Sequence, residues 1–277
     1  MSFLKGEIVA EELIYVYCLT NKIPKLKEAE DLVGNVYFSY YRGLYAVVSK
    51  VRKSEFGKEN LKKNLADFKW VKDKATVHEK VIEAIMKNSC VIPFKFATIF
   101  NNEDNLKAML EEHLKDFKAI LKRLEDKEEW GVKIYCDLEK LKEALLKEDG
   151  ELLNLDKEIS SSPPGKAFIL KKKKEELLNT VMNKKLNEYG QYSFERLSQS
   201  GRDARINKLL PKEVTERKDE MILNSAFLID KNKVADFLNT VERLKTKYAD
   251  KGLFFDCTGP WPPYNFCSVD KKEAVKK

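Results

Sequence analysis

Val36-Tyr37-Phe38-Ser39-Tyr40-Tyr41-Arg42-Gly43-Leu44-Tyr45-Ala46-Val47-Val48 decides the fold of the first half of the chain. Two β-rich runs flank Arg42-Gly43, and a two-residue turn with glycine available for φ > 0 is a hairpin signal. Upstream, Ile14-Tyr15-Val16-Tyr17-Cys18-Leu19 reads as a strand, ended by Thr20-Asn21 and Pro24, and 25–32 as a short helix. Downstream, Leu61, Leu65 and Phe68 mark one helical face, and Val77, Val81 and Ile85 another. Val91-Ile92-Pro93-Phe94 then reads as a short edge strand, because proline is confined to strand edges and ends. Strand, helix, strand, strand, helix, strand is the order of a ferredoxin-like β-α-β-β-α-β unit. A helix is predicted from Asn102, with Leu106, Leu110, Phe117, Leu121 and Leu124 in one stripe.

Asp126-Lys127-Glu128-Glu129 is a charged break, so the domains are expected at 1–128 and 129–277. The second half repeats the plan loosely. Residues 130–136 read as a strand and 138–147 as a helix. Ile159 to Gly165 reads as a loop rich in turn residues. A long helix is predicted from Lys166, carrying Leu178, Met182, Leu186 and Tyr189. The 221–229 segment reads as a strand, followed by a helix with Val234, Phe237, Val241, Leu244 and Tyr248 on one stripe. Gly252 ends it before a last strand, 253–258. The predicted class is therefore α+β: two domains, each a small, mainly antiparallel sheet covered by helices, ferredoxin-like or a variant.

The composition sets limits on function. The chain has 277 residues, 43% hydrophobic and 35% charged, too apolar for disorder and long enough for a sizeable core. Its 52 basic and 45 acidic residues leave a net charge of +7, a mild surplus that is mostly lysine. The runs Lys171 to Lys174 and Lys271-Lys272 read as solvated helix face and tail. Five cysteines without a C-x-x-C pair argue against a disulfide framework. Cys18, Cys136 and Cys257 sit in strand-like runs and read as buried free thiols of a reducing cytoplasm. The N-terminus lacks a signal-peptide core, and no apolar run reaches membrane-spanning length, so no membrane association is expected.

No catalytic constellation is visible. His78-Glu79 begins like H-E-x-x-H, but Ile82 stands where the second imidazole is needed, so no metal is expected. Gly165-Lys166 lacks the earlier glycine and the leading strand of a P-loop. No cofactor and no enzymatic activity are expected. Arg202-Asp203-Ala204-Arg205 offers an anion site or a local salt-bridge knot. Tyr37, Phe38, Tyr40, Tyr41 and Tyr45 invite a base-stacking reading, a nucleic-acid-binding or regulatory module on ferredoxin-like domains, but the glycine-aromatic RNP pattern is missing.

The most distinctive stretch is Gly259-Pro260-Trp261-Pro262-Pro263-Tyr264-Asn265-Phe266. Three prolines fix φ, remove backbone donors and hold the residues before them extended. Trp261, Pro262, Pro263, Tyr264, Asn265 and Phe266 thus form a stiff aromatic ribbon, which acts as an interdomain latch or as a partner anchor. In the latch reading Trp261 is mostly buried.

This octapeptide resembles the C-terminal signature of the GvpF/GvpL family of gas vesicle proteins. Three further segments are similar in the right order: His78-Glu79 with Val91 to Phe100, Trp130-Gly131-Val132-Lys133, and Ser162 to Leu170. Lys95 stands where arginine is usual, Ala97 where glycine is, Phe168 where tyrosine is, and Cys267 where an aliphatic is. The first two changes count against a bidentate guanidinium and a φ > 0 backbone at those positions. The resemblance implies a non-enzymatic assembly or minor structural protein of the gas vesicle, localised there in the cytoplasm. It implies binding to the small hydrophobic shell protein and other accessory proteins, with no nucleic acid, and a monomer before assembly.

Overall fold

The computed structural model describes residues 11–267. The chain divides into two compact units: residues up to Asp126 together with those from Trp261, and Lys127–Pro260. The last segment, from Trp261, thus counts with the first unit, whereas the sequence assigned it to the second.

In the first unit, β1 (Glu12–Thr20) leads through α1 (Lys27–Val33) to the hairpin of β2 (Val36–Tyr41) and β3 (Leu44–Arg52). Short helices α2 (Lys53–Phe56) and α3 (Lys58–Asn64) precede α4 (Phe68–Met86), then β4 (Ile92–Pro93), β5 (Ile99–Phe100), α5 (Glu103–Glu112) and α6 (Leu114–Leu124). The hairpin turn takes φ of 45° at Arg42 and 88° at Gly43, the type I′ signature that a glycine makes accessible. The sheet order is β2-β3-β1-β4, with β5 also on β1. That is the β-α-β-β-α-β arrangement read from the sequence.

Central β1 is buried at every residue after Glu12, as a strand covered on both faces must be. One face carries Leu13, Tyr15, Val36 and Val47 against Val81, Ile82 and Ile85 of α4. On the other, the Glu103 carboxylate of α5 accepts from the Tyr37 hydroxyl at 3.2 Å and the Ser39 hydroxyl at 3.4 Å. The helix predicted from Asn102 is two helices that meet at His113, where φ of −106° interrupts the α geometry.

The second unit runs β6 (Lys127–Cys136), α7 (Leu138–Glu148), α8 (Gly150–Ser161), α9 (Pro164–Ser198), β7 (Asp203–Ile206), α10 (Lys212–Thr215), β8 (Glu220–Asp230), α11 (Val234–Tyr248) and β9 (Leu253–Trp261). Its sheet order is β7-β8-β6-β9. Taken in chain order, both units place their strands second, third, first, fourth. Val132, Ile134, Leu223 and Phe227 of the sheet pack with Leu141 of α7, Leu178 and Leu197 of α9, and Phe237 and Val241 of α11.

Three local readings change. The charged residues 127–129 already belong to β6, pairing with β8 from Lys127↔Asp230 onward, and Asp126 makes the turn at φ 54°. The predicted 159–165 loop shrinks to Ser162 and Pro163, because Pro164 serves as the first residue of α9, where its missing N–H costs nothing. The arginine-flanked Asp203 lies in β7, an edge strand of only four residues.

Gly43 and Gly252 give a test of these turns. A Cβ at Gly43 meets nothing closer than 3.8 Å, whereas at Gly252, φ 75°, it meets Lys140 Cβ at 2.8 Å and the Asp137 carbonyl at 3.0 Å. Gly43→Ala should cost about 1 kcal/mol from backbone strain alone. Gly252→Ala should cost about 3 kcal/mol, with overpacking added, in denaturant melts.

Candidate functional site

The aromatic ribbon leaves β9 and closes in a single 3-10 turn, Tyr264–Phe266. Tyr264 N–H donates to the Pro262 carbonyl at 2.7 Å and Phe266 N–H to that of Pro263 at 3.1 Å, so both donors are satisfied within the turn. Phe266 is completely buried and Pro262 and Pro263 are buried, but Trp261 is 45% exposed. The expectation of a mostly buried Trp261 is thus corrected. A proline ribbon has no side-chain period, and here the turn directs the last ring inward and leaves the first at the end of β9, whose final residues are all exposed.

Two groups of the first unit hold the segment. Arg123 of α6 donates from Nη2 to the Phe266 carbonyl at 2.5 Å. The Tyr264 hydroxyl donates to Glu79 Oε1 at 2.7 Å and lies 3.3 Å from His78 Nε2. His78 is 1% exposed. Its Nε2 is 3.0 Å from the Phe94 carbonyl and its Nδ1 is 2.9 Å from the Tyr15 hydroxyl. A carbonyl only accepts, so Nε2 carries the proton and Nδ1 accepts from Tyr15. The Tyr15 oxygen in turn accepts the Ala97 N–H at 3.1 Å. One neutral imidazole therefore ties together β1, the 94–97 loop and the C-terminal ribbon.

Ala97 sits in this chain at φ 61°. The backbone conformation counted against from the sequence is present, with alanine bearing a strain of roughly 1–2 kcal/mol. Its bond to Tyr15 helps to hold it. Lys95 is exposed, and its carbonyl accepts from the Thr98 hydroxyl at 2.7 Å.

Burial holds the His78 pKa down to about 4, the Phe94 bond opposing, and raises those of Tyr15 and Tyr264. Burial also raises Glu79, against the bond from Tyr264. These shifts have burial as their first cause, as expected of a packed network.

The remaining candidates resolve into ordinary structure. Arg202 pairs with Asp230 at 2.7 Å and Arg205 with Asp203 at 2.8 Å, so Arg202 and Arg205 form local ion pairs. Lys174 pairs with Asp156 at 2.5 Å, while Lys171, Lys172 and Lys173 are exposed on α9. Gly165 lies in the first turn of α9 with a helix, not a strand, leading in. Tyr37 is engaged by Glu103 of α5, Tyr45 packs against Phe38 and Tyr40, and among Tyr37, Phe38, Tyr40, Tyr41 and Tyr45 only Phe38 and Tyr40 are exposed. The cysteines are free, with Cys18 and Cys136 buried and Cys257 partly so. Among the described residues no group of three metal-ligating side chains converges, and no helix is long and apolar enough to cross a membrane. Lys271-Lys272 and the N-terminal segment lie outside the described residues.

Residues 13–268 match the family described as gas vesicle synthesis protein GvpL/GvpF. The chain belongs to the GvpL/GvpF family. It is 23% identical to gas vesicle protein L of Streptomyces sp. over 267 residues, covering 95% of this chain and 96% of that one. It is 22% identical to gas vesicle protein F of Haloferax mediterranei over 261 residues, 92% and 93% of the two chains. Its fold is that of the crystal structure of GvpF from Anabaena sp., with TM-score 0.69 at 18% identity over 93% of this chain and 99% of the other. GvpF from Microcystis aeruginosa gives 0.64 at 18% identity, again over 93% and 99%. The α+β class with two antiparallel, helix-covered sheets is therefore shared with solved gas vesicle proteins.

Two measurements test the site. Phe266→Ala should destabilise the protein by about 3–5 kcal/mol, the range for a buried aromatic truncation. Trp261→Ala should cost less than about 1 kcal/mol, as for exposed positions, in the same thermal melts. For His78, the folded pKa of about 4 lies below the ordinary 6.5. Between those values the unfolded chain binds a proton that the folded protein does not, so stability is full above the upper value and is lost as pH falls toward the lower. The loss should reach about 3 kcal/mol, partly offset by Glu79, whose raised pKa acts in the opposite sense. Melts between pH 7 and 4 should show that slope, and His78→Gln should flatten it.

Proposed function

We propose that this chain is an assembly or minor structural protein of the gas vesicle, located on that structure in the cytoplasm and acting without catalysis. It binds the small hydrophobic shell protein and other gas vesicle accessory proteins, and it is monomeric before assembly. The observation that carries this reading is the family match across nearly the whole described chain, joined to the exposed Trp261 ring in its signature segment. Pro262 and Pro263 are buried behind Trp261, so the indole is presented from a fixed backbone. A preorganised aromatic loses little entropy on docking and is a favoured type of interface hot spot. The ribbon then divides its labour, with Phe266 and the Tyr264 hydroxyl serving attachment to the first unit and Trp261 serving partner capture. The charged body, 35% of residues, keeps such an adaptor soluble beside an apolar client.

The test is co-expression with the shell subunit of the same gas vesicle cluster, followed by affinity recovery. Trp261→Ala should retain its melting temperature and lose about thirtyfold in affinity, the factor for a hot spot of about 2 kcal/mol. Undiminished recovery by the variant would overturn the anchor role. Recovery of nucleic acid with no shell subunit by the parent chain would overturn the function itself.

A further inference from the structure

We propose that a cavity beside β3 in the first unit is a binding site for an apolar carboxylate. Its volume is about 390 Å³, within the size range of small-ligand sites. Tyr17 and Ser49 line it, 4% and 0% exposed, with their hydroxyl oxygens 3.0 Å apart. Two hydroxyls bring two O–H donors, and the bond between them uses one. Among the described residues no acceptor takes the other. A buried donor beside a cavity favours a ligand that brings an acceptor oxygen, since leaving it unmade is costly.

The charge at the mouth selects the kind of oxygen. Lys50, Arg52 and Lys74 line the cavity against a single lining carboxylate, Glu55. Lys74 is held by Glu55 at 2.8 Å, and Lys50 by Glu12 at 2.9 Å. Arg52 is exposed and has no carboxylate within ion-pair distance among the described residues. It is the cation available to an incoming anion, and its planar fork suits a carboxylate. Val33, Val51 and Phe56 supply apolar wall. A ligand with a carboxylate and a short hydrocarbon body meets all three features. The C-terminal residue of a partner protein and a free small acid share this chemistry. The inference is independent of the gas vesicle role proposed above.

The full chain is titrated with 3-phenylpropionate and, separately, with its uncharged amide. The methyl resonances of Val33 and Val51 and the ring resonances of Tyr17 report binding. The acid should bind in the millimolar range expected for so few atoms, and several-fold more tightly than the amide. Arg52→Ala, at an exposed site that leaves the fold intact, should weaken the acid about two- to fivefold, the range for a partly exposed charge pair, and leave the amide unchanged. A Gly-Gly-Gly-Phe peptide that binds more tightly than the acid, and only with its C-terminus free, sustains the site as a receptor for chain ends. Acid binding with the peptide excluded sustains it as a site for a free acid. Equal affinity for acid and amide, or no shift at Val33, Val51 and Tyr17, overturns the proposal.

Discussion

The first unit depends on keeping one imidazole neutral in its interior. His78 is a helical residue of α4, yet its two ring nitrogens serve elements far from it in sequence, Tyr15 of β1 and the Phe94 carbonyl. A charged imidazole would have two donors and no acceptor, so the Tyr15 hydroxyl would lose the lone pair to which it donates. The bond from Ala97 N–H to Tyr15 extends the same chain into the 94–97 loop. The strained φ of Ala97 is thus tolerated where the surrounding bonds over-determine it.

The C-terminal ribbon attaches at the same place. Tyr264 reaches Glu79, the next residue on α4, and Phe266 is fixed through its carbonyl by Arg123 and through its ring by burial. The two prolines between Trp261 and Tyr264 make the segment act as one piece. Contacts at its far end therefore set how the indole is displayed at its near end. This is a division within one motif: the Phe266 ring is buried, and the Trp261 ring is partly exposed.

The fold was legible because its signals are periodic. The Arg42-Gly43 turn, the alternation around it and the apolar spacing of α4 and α11 each specify their element locally, and the β-α-β-β-α-β order of the first unit follows from them. What escaped was the aperiodic or polar part. β7 is an edge strand of four residues, so its Ala204/Ile206 alternation is too short to stand out. The start of β6 carries Lys127, Glu128 and Glu129, whose charges resemble a linker although Glu129 is 4% exposed in the strand. The ribbon was visible as a motif, but which ring faces inward depends on a 3-10 turn that no spacing encodes. His78 was noticed only as half of a zinc motif. Its partners Tyr15 and Tyr264 lie 63 and 186 residues away, beyond any local pattern.

Membership of the GvpL/GvpF family and the packed network describe the same segment from two sides. The stretch that carries the family signature is the one that the neutral histidine helps to seat. The most direct test of that account is long-range proton–nitrogen NMR of the His78 side chain across the acid range. A neutral ring with the proton on Nε2 down to pH 5, with the Tyr264→Phe variant shifting the His78 signals, is the predicted result. A ring protonated on Nδ1, or one that titrates near 6.5 like a solvent-exposed histidine, would contradict it.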